Sequence, residues 1–152
     1  MPSEAALVHD VGKIGVPDEL LRKTEPLTLE ERAQLTDHAE LSARIVEGVL
    51  RPEQVDWIRN HHERPDGEGY PDGLTAEEIS EGAALLAVAD AWDVMTISRP
   101  YSSPKSIDEA FKECLELDGV QFMPRAVAAL LELHAAGELA REEVLPGTLV
   151  RP

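Results

Sequence analysis

Ala83-Ala-Leu-Leu-Ala-Val-Ala-Asp-Ala-Trp-Asp-Val-Met95 is apolar on almost every side of a helical projection. That is the pattern of a helix buried at the centre of a helical protein rather than one lying on its surface. Two acids interrupt it. A carboxylate buried without a partner costs roughly several kcal/mol, so Asp90 and Asp93 need cations, donors or a metal. Asp90, deeper in the run, reads as a ligand; Asp93 reads as a helix-end or buried hydrogen-bonding group.

The segments on either side are helices with clear punctuation. Thr28-Leu-Glu-Glu31 has the capping-box spacing, and Leu35, Leu41, Ile45, Val46 and Val49 continue at helical period to about Leu50. This helix carries His38. Pro52 suits the first turn of the next helix, whose Val55 and Ile58 face the core and whose end delivers His61 and His62. Thr75 to Glu78 predicts a short helix before the central one, and Ser106 to Glu109 opens another lined by Ala110, Phe111, Cys114 and Leu115. Pro124 starts a last helix through Val127, Leu130, Leu131 and His134 to Gly137. Residues 4 to 10 read as the final turns of a helix, and 14 to 27 as loop with one short turn at Asp18 to Arg22. Strand content is expected to be small, so the fold class is all-α.

A chain of 152 residues, 43% hydrophobic, suits one domain with a real core. Thirty acidic against fourteen basic residues give a formal charge of -16, which argues against duplex DNA held on a broad basic face. A small phosphate-bearing ligand is compatible if bound cations dominate the local field. A single cysteine, Cys114, excludes an internal disulfide framework and fits a reducing interior. No run approaches the length of a membrane span and the first residues lack a signal-peptide pattern, so the expected location is cytoplasmic.

Chemistry enters at His61-His-Glu-Arg-Pro-Asp-Gly-Glu-Gly-Tyr-Pro71. An isolated His-His pair is more often a polar helix end than a ligand pair. Neighbours on a helix diverge by about 100°, so His61 and His62 could share a site only by reaching separate atoms of it, such as two metal ions. His9 with Asp10, His38, His61 with His62, and Asp90 lie at helix ends or inward faces of four segments, as in bundles that build metal centres from facing helices. Imidazole with carboxylate suits iron, manganese, zinc or nickel. A shared carboxylate such as Asp10 can bridge two ions, and an ion pair favours in-line attack of water on phosphorus. Lys13, three residues past Asp10, could add positive charge at a phosphoryl transition state. Arg99 could fork onto phosphate or a base edge, or form an ordinary salt bridge.

His9-Asp-Val-Gly-Lys-Ile-Gly-Val-Pro-Asp18, the His38 helix, His61 to Leu74, Ala87-Val-Ala-Asp-Ala-Trp-Asp93, Arg99-Pro-Tyr101 and Gly119-Val-Gln-Phe122 together resemble, in order, the motifs of the HD-GYP family. The resemblance implies an HD-superfamily helical bundle over residues 1–137, followed by a tail at 138–152. It implies a pair of divalent transition-metal ions, iron or manganese, and hydrolysis of the bacterial second messenger cyclic di-GMP. On this resemblance His9, Asp10, His38, His61, His62 and Asp90 are metal ligands. Asp10 and Lys13 are catalytic, Lys13 contacting the scissile phosphate or assisting the leaving group. Gly69, Tyr70 and Pro71 line the ligand pocket, and Arg99 meets the guanine or phosphate end.

The chain also departs from the pattern. The family takes a first histidine from a helix preceding the His-Asp pair, and none of the eight residues before His9 is histidine; the bundle is therefore expected to be truncated at its N-terminus. Ser102 stands where a basic residue normally follows Arg-Pro-Tyr, Met123 where an acid follows Gln-Phe, and Pro65 where an aromatic or polar residue is usual. Lys105 could replace the missing base but reads more simply as solvent-facing. Uncovered apolar surface near Leu7, Val8 and the central helix predicts self-association, or docking of a partner such as a sensor or diguanylate cyclase domain. Two functions stay open: a cyclic di-GMP phosphodiesterase, and a degenerate module that binds the nucleotide or a partner without turnover.

Overall fold

The computed structural model describes residues 2–97 and 103–139. Among them are seven α-helices: α1 (Pro2–Val8), α2 (Asp18–Leu21), α3 (Leu29–Val46), α4 (Pro52–Asn60), α5 (Glu81–Thr96), α6 (Ile107–Glu116) and α7 (Pro124–Ala135), with a 3-10 turn at Val11–Gly15. Only two isolated bridges, Asp66 with Thr75 and Asp118 with Phe122, represent extended pairing in these residues. No helix of the described residues is long and apolar enough to cross a membrane.

α5 organises the bundle, packing against α4, α6 and α7. Its start is pinned by Ser80, whose hydroxyl accepts from Ala83 N and donates to Asp56 Oδ2 on α4 at 2.7 Å. One core lies between α5, α6 and α7, built on Ala84, Val88, Cys114, Phe122, Val127 and Leu130. A second joins α1, α3, α4 and α5 through Ala5, Val46, Ile58 and Leu86. Burial of α5 all round, expected from its composition, is not what forms. Ala83, Ala84, Leu86 and Val88 are buried, while Leu85 is 39% and Val94 43% exposed. Among the described helices α4, α6 and α7 pack against α5, and on its remaining face Leu85 and Ala89 line an apolar groove with Ala5, Ala6 and Trp57 that no other described residue fills. Leu7, on α1, is 85% exposed.

α3 begins at the predicted capping box, with Glu31 N donating to Thr28 Oγ1 at 3.2 Å and Thr28 N to the Glu31 carboxylate at 2.8 Å. A cap of this kind stabilises a helix start by about 1 kcal/mol. The helix stops at Val46, four residues before the expected end, because Gly48 takes the left-handed conformation (φ +79°) and the Val49 and Leu50 amides turn back onto Val46 O at 3.0 Å. Val49 is consequently exposed and Ile45 partly so. The buried face of α3 is instead His38, Ala39, Ser42, Ala43 and Val46. This stripe of small and polar residues permits close approach of the 3-10 turn: a Cβ on Gly12 would lie 2.2 Å from His38 O, and Gly12 N donates to Ser42 Oγ at 2.8 Å.

The expected helix at 75 to 78 is a single turn. Half of its capping box forms, Thr75 N donating to Glu78 at 2.9 Å, while Thr75 Oγ1 donates to the same carboxylate at 2.7 Å and Glu78 N bonds Thr75 O instead; Ser80 caps α5 directly afterwards and leaves no room to propagate. α6 and α7 start at Ser106 and Pro124 as predicted, although Leu115 and Leu131 face outward at the helix edges. Residues 140–152, most of the predicted tail, lie outside the described residues.

Candidate metal centre

Four elements deliver the candidate donors to one place. His9 and Asp10 follow α1, His38 sits on α3, His61 and His62 follow the last helical residue of α4, and Asp90 is on α5. Three of the rings are anchored alike. His9 Nδ1 bonds Ala6 O at 2.7 Å, His38 Nδ1 bonds Leu35 O at 2.5 Å, and His61 Nδ1 bonds Ile58 O at 2.7 Å. A carbonyl acceptor requires the proton on Nδ1, so in neutral rings the Nε2 lone pairs point inward.

What they meet there is each other. Asp10, His38, His61 and His62 each offer a ligand atom within 4.8 Å of the others', and so do His9, His61 and Asp90. His38 Nε2 lies 3.3 Å from Asp10 Oδ1 and 3.2 Å from His62 Nε2. His9 Nε2 is 3.4 Å from Asp90 Oδ1 and 3.5 Å from Asp10 Oδ2, in ion-pair range but without the alignment of a hydrogen bond. His9 Nε2, Asp10 Oδ1 and His61 Nε2 are buried with no hydrogen-bond partner among the described residues. Buried polar atoms are almost always paired, and three such acceptors spread over the two donor groups are what bound cations would satisfy. The donor set fits a metal.

The two neighbouring histidines converge more closely than helical geometry predicts. α4 ends at Asn60, so the pair sits in the turn beyond it, with ring centroids 3.9 Å apart and both rings in the Asp10 group. His61 belongs to both groups but has one inward nitrogen, since Ile58 O occupies the other. Asp10 lies between the groups, one oxygen toward His38 and the other toward His9.

The electrostatics prepare the rings for ligation. Burial lowers His61 to about 4, and burial with the neighbouring rings lowers His62 to about 3, so both are neutral near pH 7. His9 moves the other way, raised chiefly by the Asp90 carboxylate beside it. Burial alone would push Asp10 up; the contacts from His38 and Lys13 outweigh it and hold the carboxyl below its ordinary range. Asp90 is likewise lowered, His9 outweighing burial. A pH dependence follows. A metal must displace the proton that His9 holds above the ordinary 6.5, whereas His61 and His62 carry none there. Uptake by the metal-free chain is expected in two steps, with loading of the His9, His61 and Asp90 group rising as pH rises through the His9 value. Isothermal titration with manganese at several pH values reads this; a single step independent of pH above 6 would contradict it.

Beside the cluster lies a cleft of about 400 Å³ lined by Arg32, His61, His62, Gly69, Tyr70 and Asp90, among others. Tyr70 stacks on His62 with centroids 4.7 Å apart. Gly69 packs directly on the Glu63 and Arg64 backbone. Pro71, expected in the lining, follows Tyr70 through a cis peptide and does not line the cleft. Lys13 Nζ is bonded to Asp10 Oδ2. Asp93 is exposed near the end of α5, its carbonyl accepting from Ile97 N at 3.0 Å. Lys105 keeps 42% of its side chain exposed, as expected, while its ammonium pairs with Glu113 of the cleft wall. Arg99, Tyr101 and Ser102 lie outside the described residues. Sequence reasoning missed Glu63, which is 3% exposed and ties down the loop after the histidines: its carboxylate accepts from Asp72 N at 2.7 Å, Gly73 N at 3.2 Å and Leu74 N at 2.8 Å. It also missed Arg32, Glu113 and Gln121 in the cleft wall.

A family model described as HD domain matches residues 3–137. The chain belongs to the HD domain family, in its HD-GYP branch. This HD domain is 42% identical over 133 residues to a cyclic di-GMP phosphodiesterase of Thermotoga maritima, a match covering 86% of the chain and 36% of that relative. It is 37% identical over 151 residues to the cyclic di-GMP phosphodiesterase response regulator RpfG of Xanthomonas campestris, covering 94% and 40%. A 3'3'-cGAMP-specific phosphodiesterase 2 of Vibrio cholerae is 33% identical over 135 residues, covering 87% and 26%. The HD domain thus spans well under half the length of these relatives.

Proposed function

We propose that the chain is the hydrolytic unit of a metal-dependent phosphodiesterase acting on cyclic di-GMP in bacterial second-messenger signalling, with residues 1–137 as that unit. The observation that carries the reading is the trio of buried donor atoms on His9, Asp10 and His61 that no hydrogen bond from the described residues satisfies, set beside a cleft lined by Gly69 and Tyr70. The substrate is taken from the names of the relatives. The mixed imidazole and carboxylate set favours two divalent transition-metal ions, iron or manganese. Such ions, when bound, supply Lewis-acid charge to phosphorus and a nucleophilic water at neutral pH.

The chain's own residues do the remainder. The carbonyl-anchored rings of His9, His38 and His61 hold their donor nitrogens in place before any ion arrives. Lys13, half-buried against Asp10, offers its ammonium to the scissile phosphate or the departing oxygen. Tyr70, whose phenol burial keeps protonated, presents a wall on which a nucleotide can lie. Pro71 fixes the backbone behind it, and Arg99 meets the guanine or phosphate end.

One observation favours a non-catalytic nucleotide-binding module instead: the two donor groups share His61, which can serve one ion at a time. Elemental analysis and turnover on the same preparation decide. About two ions per chain, with chelator-sensitive conversion of cyclic di-GMP, supports the phosphodiesterase. Binding of the dinucleotide without cleavage by the fully metal-loaded chain would establish the module, and absence of both metal and binding would reject both.

A further inference from the structure

The charged residues that line the cleft are four acids, Glu63, Glu68, Asp90 and Glu113, and two guanidiniums, Arg32 and Arg64. Arg64 is committed, its guanidinium clamped on Asp66. The other cations nearby are committed too: Lys13 to Asp10 and Lys105 to Glu113. Arg32 is different. In a chain with thirty acidic residues, its guanidinium makes no ion pair with any described residue. Its neighbour Glu31 is taken by Lys23 Nζ at 2.6 Å and by the Thr28 amide at 2.8 Å. The position also opposes local preference, since Arg32 is in the first turn of α3, where the helix dipole disfavours a cation. A residue that breaks a local rule without a compensating contact is a candidate for a ligand contact.

None of the four acids in the cleft wall pairs with this group. Within the function proposed above, on which this inference rests, the substrate carries two phosphodiesters in one ring. The His/Asp cluster engages one of them, and the ring holds the other at a fixed remove inside the same cleft. We infer that Arg32 binds the phosphodiester that is not being cleaved, and so selects cyclic dinucleotides over simpler phosphodiesters. A planar guanidinium offers two parallel N–H donors to the two free oxygens of such a group, which a lysine ammonium cannot match. Arg32 lines the same cleft as Tyr70 and its charge acts on the Tyr70 phenol, so a nucleotide against Tyr70 would have its phosphate within reach of this side chain.

The test compares the metal-loaded parent chain with Arg32→Met, which keeps the apolar stem, and Arg32→Lys. Each is assayed on cyclic di-GMP and on bis(p-nitrophenyl) phosphate, which has one phosphodiester and no second. The ratio of kcat/KM for the dinucleotide to that for the simple diester is expected to fall about 10-fold or more in Arg32→Met, the usual scale for a charge-assisted hydrogen bond. The fall should lie in KM, and Arg32→Lys should recover part of it. An unchanged ratio, including one in which both substrates lose equally, overturns the inference while leaving the proposed function standing. A parent chain that cleaves the simple diester but neither binds nor cleaves cyclic di-GMP overturns that function and this inference together.

Discussion

Asp10→Ala is expected to halve the metal content of the purified chain and to lower cyclic di-GMP turnover by more than about 100-fold. Removing a group that merely hydrogen-bonds a metal ligand costs about 10- to 100-fold, and a direct donor should exceed that. The geometry makes Asp10 the least replaceable of the six donors. Its oxygens face His38 at 3.3 Å and His9 at 3.5 Å, so it is the carboxylate that reaches both groups. Without it five donors remain, and His61 has a single inward nitrogen because Ile58 O holds the other. Five monodentate donors cannot give two ions three protein ligands each. The substitution also leaves the Lys13 ammonium without its acid, adding an uncompensated positive charge where a cation must bind. Asp93→Asn provides the contrast: it changes an exposed acid on the same helix as Asp90 and should retain both metal and turnover. Elemental analysis, with thermal midpoints of the metal-free proteins as a folding control, reads the outcome. Two ions retained by Asp10→Ala at an undiminished rate would refute the shared-ligand arrangement.

The features that sequence made visible are those with local causes. Thr28, Ser106, Pro52 and Pro124 mark helix starts because capping and proline geometry act over three or four residues. The six donors were recognisable in the sequence as one candidate metal centre, but their division into two groups was not. That depends on α4 stopping at Asn60, which swings His62 round beside His61, and on α5 bringing Asp90 against His9. Hydrophobic period misled wherever close approach, rather than apolar area, decides burial. The inward face of α3 is Ala39, Ser42 and Ala43 because the backbone at Gly12 touches it, while apolar Val49 hangs beyond the helix end. The Thr75 to Glu78 pattern produced one of its two capping bonds and no helix, since a capping box specifies a start and says nothing of length. Arg32 carries no signal of its own; only the cleft around it makes its unpaired charge informative.

Glu63→Ala is expected to destabilise the metal-free chain by about 3 kcal/mol, and so to lower its thermal midpoint by about 6–12 °C. A side chain bonding to the backbone leaves no periodic trace, which is why this residue escaped the sequence reading, yet it holds the loop that carries the Gly-Tyr-Pro segment. Its carboxylate accepts three backbone amides, those of Asp72, Gly73 and Leu74. An amide left without a buried acceptor costs about 1–3 kcal/mol. The lower end applies here because Asp72 and Gly73 are exposed and water can reach them. Arg59 cannot compensate: its guanidinium already grips the Asp72 carboxylate from α4, which fixes that side chain but not the three amides. Glu63→Gln separates charge from shape. The amide side chain keeps one acceptor oxygen and turns an NH2 donor toward backbone N–H groups, so it should fall between parent and alanine rather than restore the parent. The loop also places Tyr70, whose amide bonds His62 O at 3.3 Å. Both variants should therefore weaken dinucleotide binding more than metal binding, because His61 and His62 are held from the α4 side by Ile58 O and by their packing. A thermal midpoint of Glu63→Ala within 1–2 °C of the parent would show that solvent replaces the carboxylate at negligible cost, and that the loop is held by Arg59 and Asp72 instead.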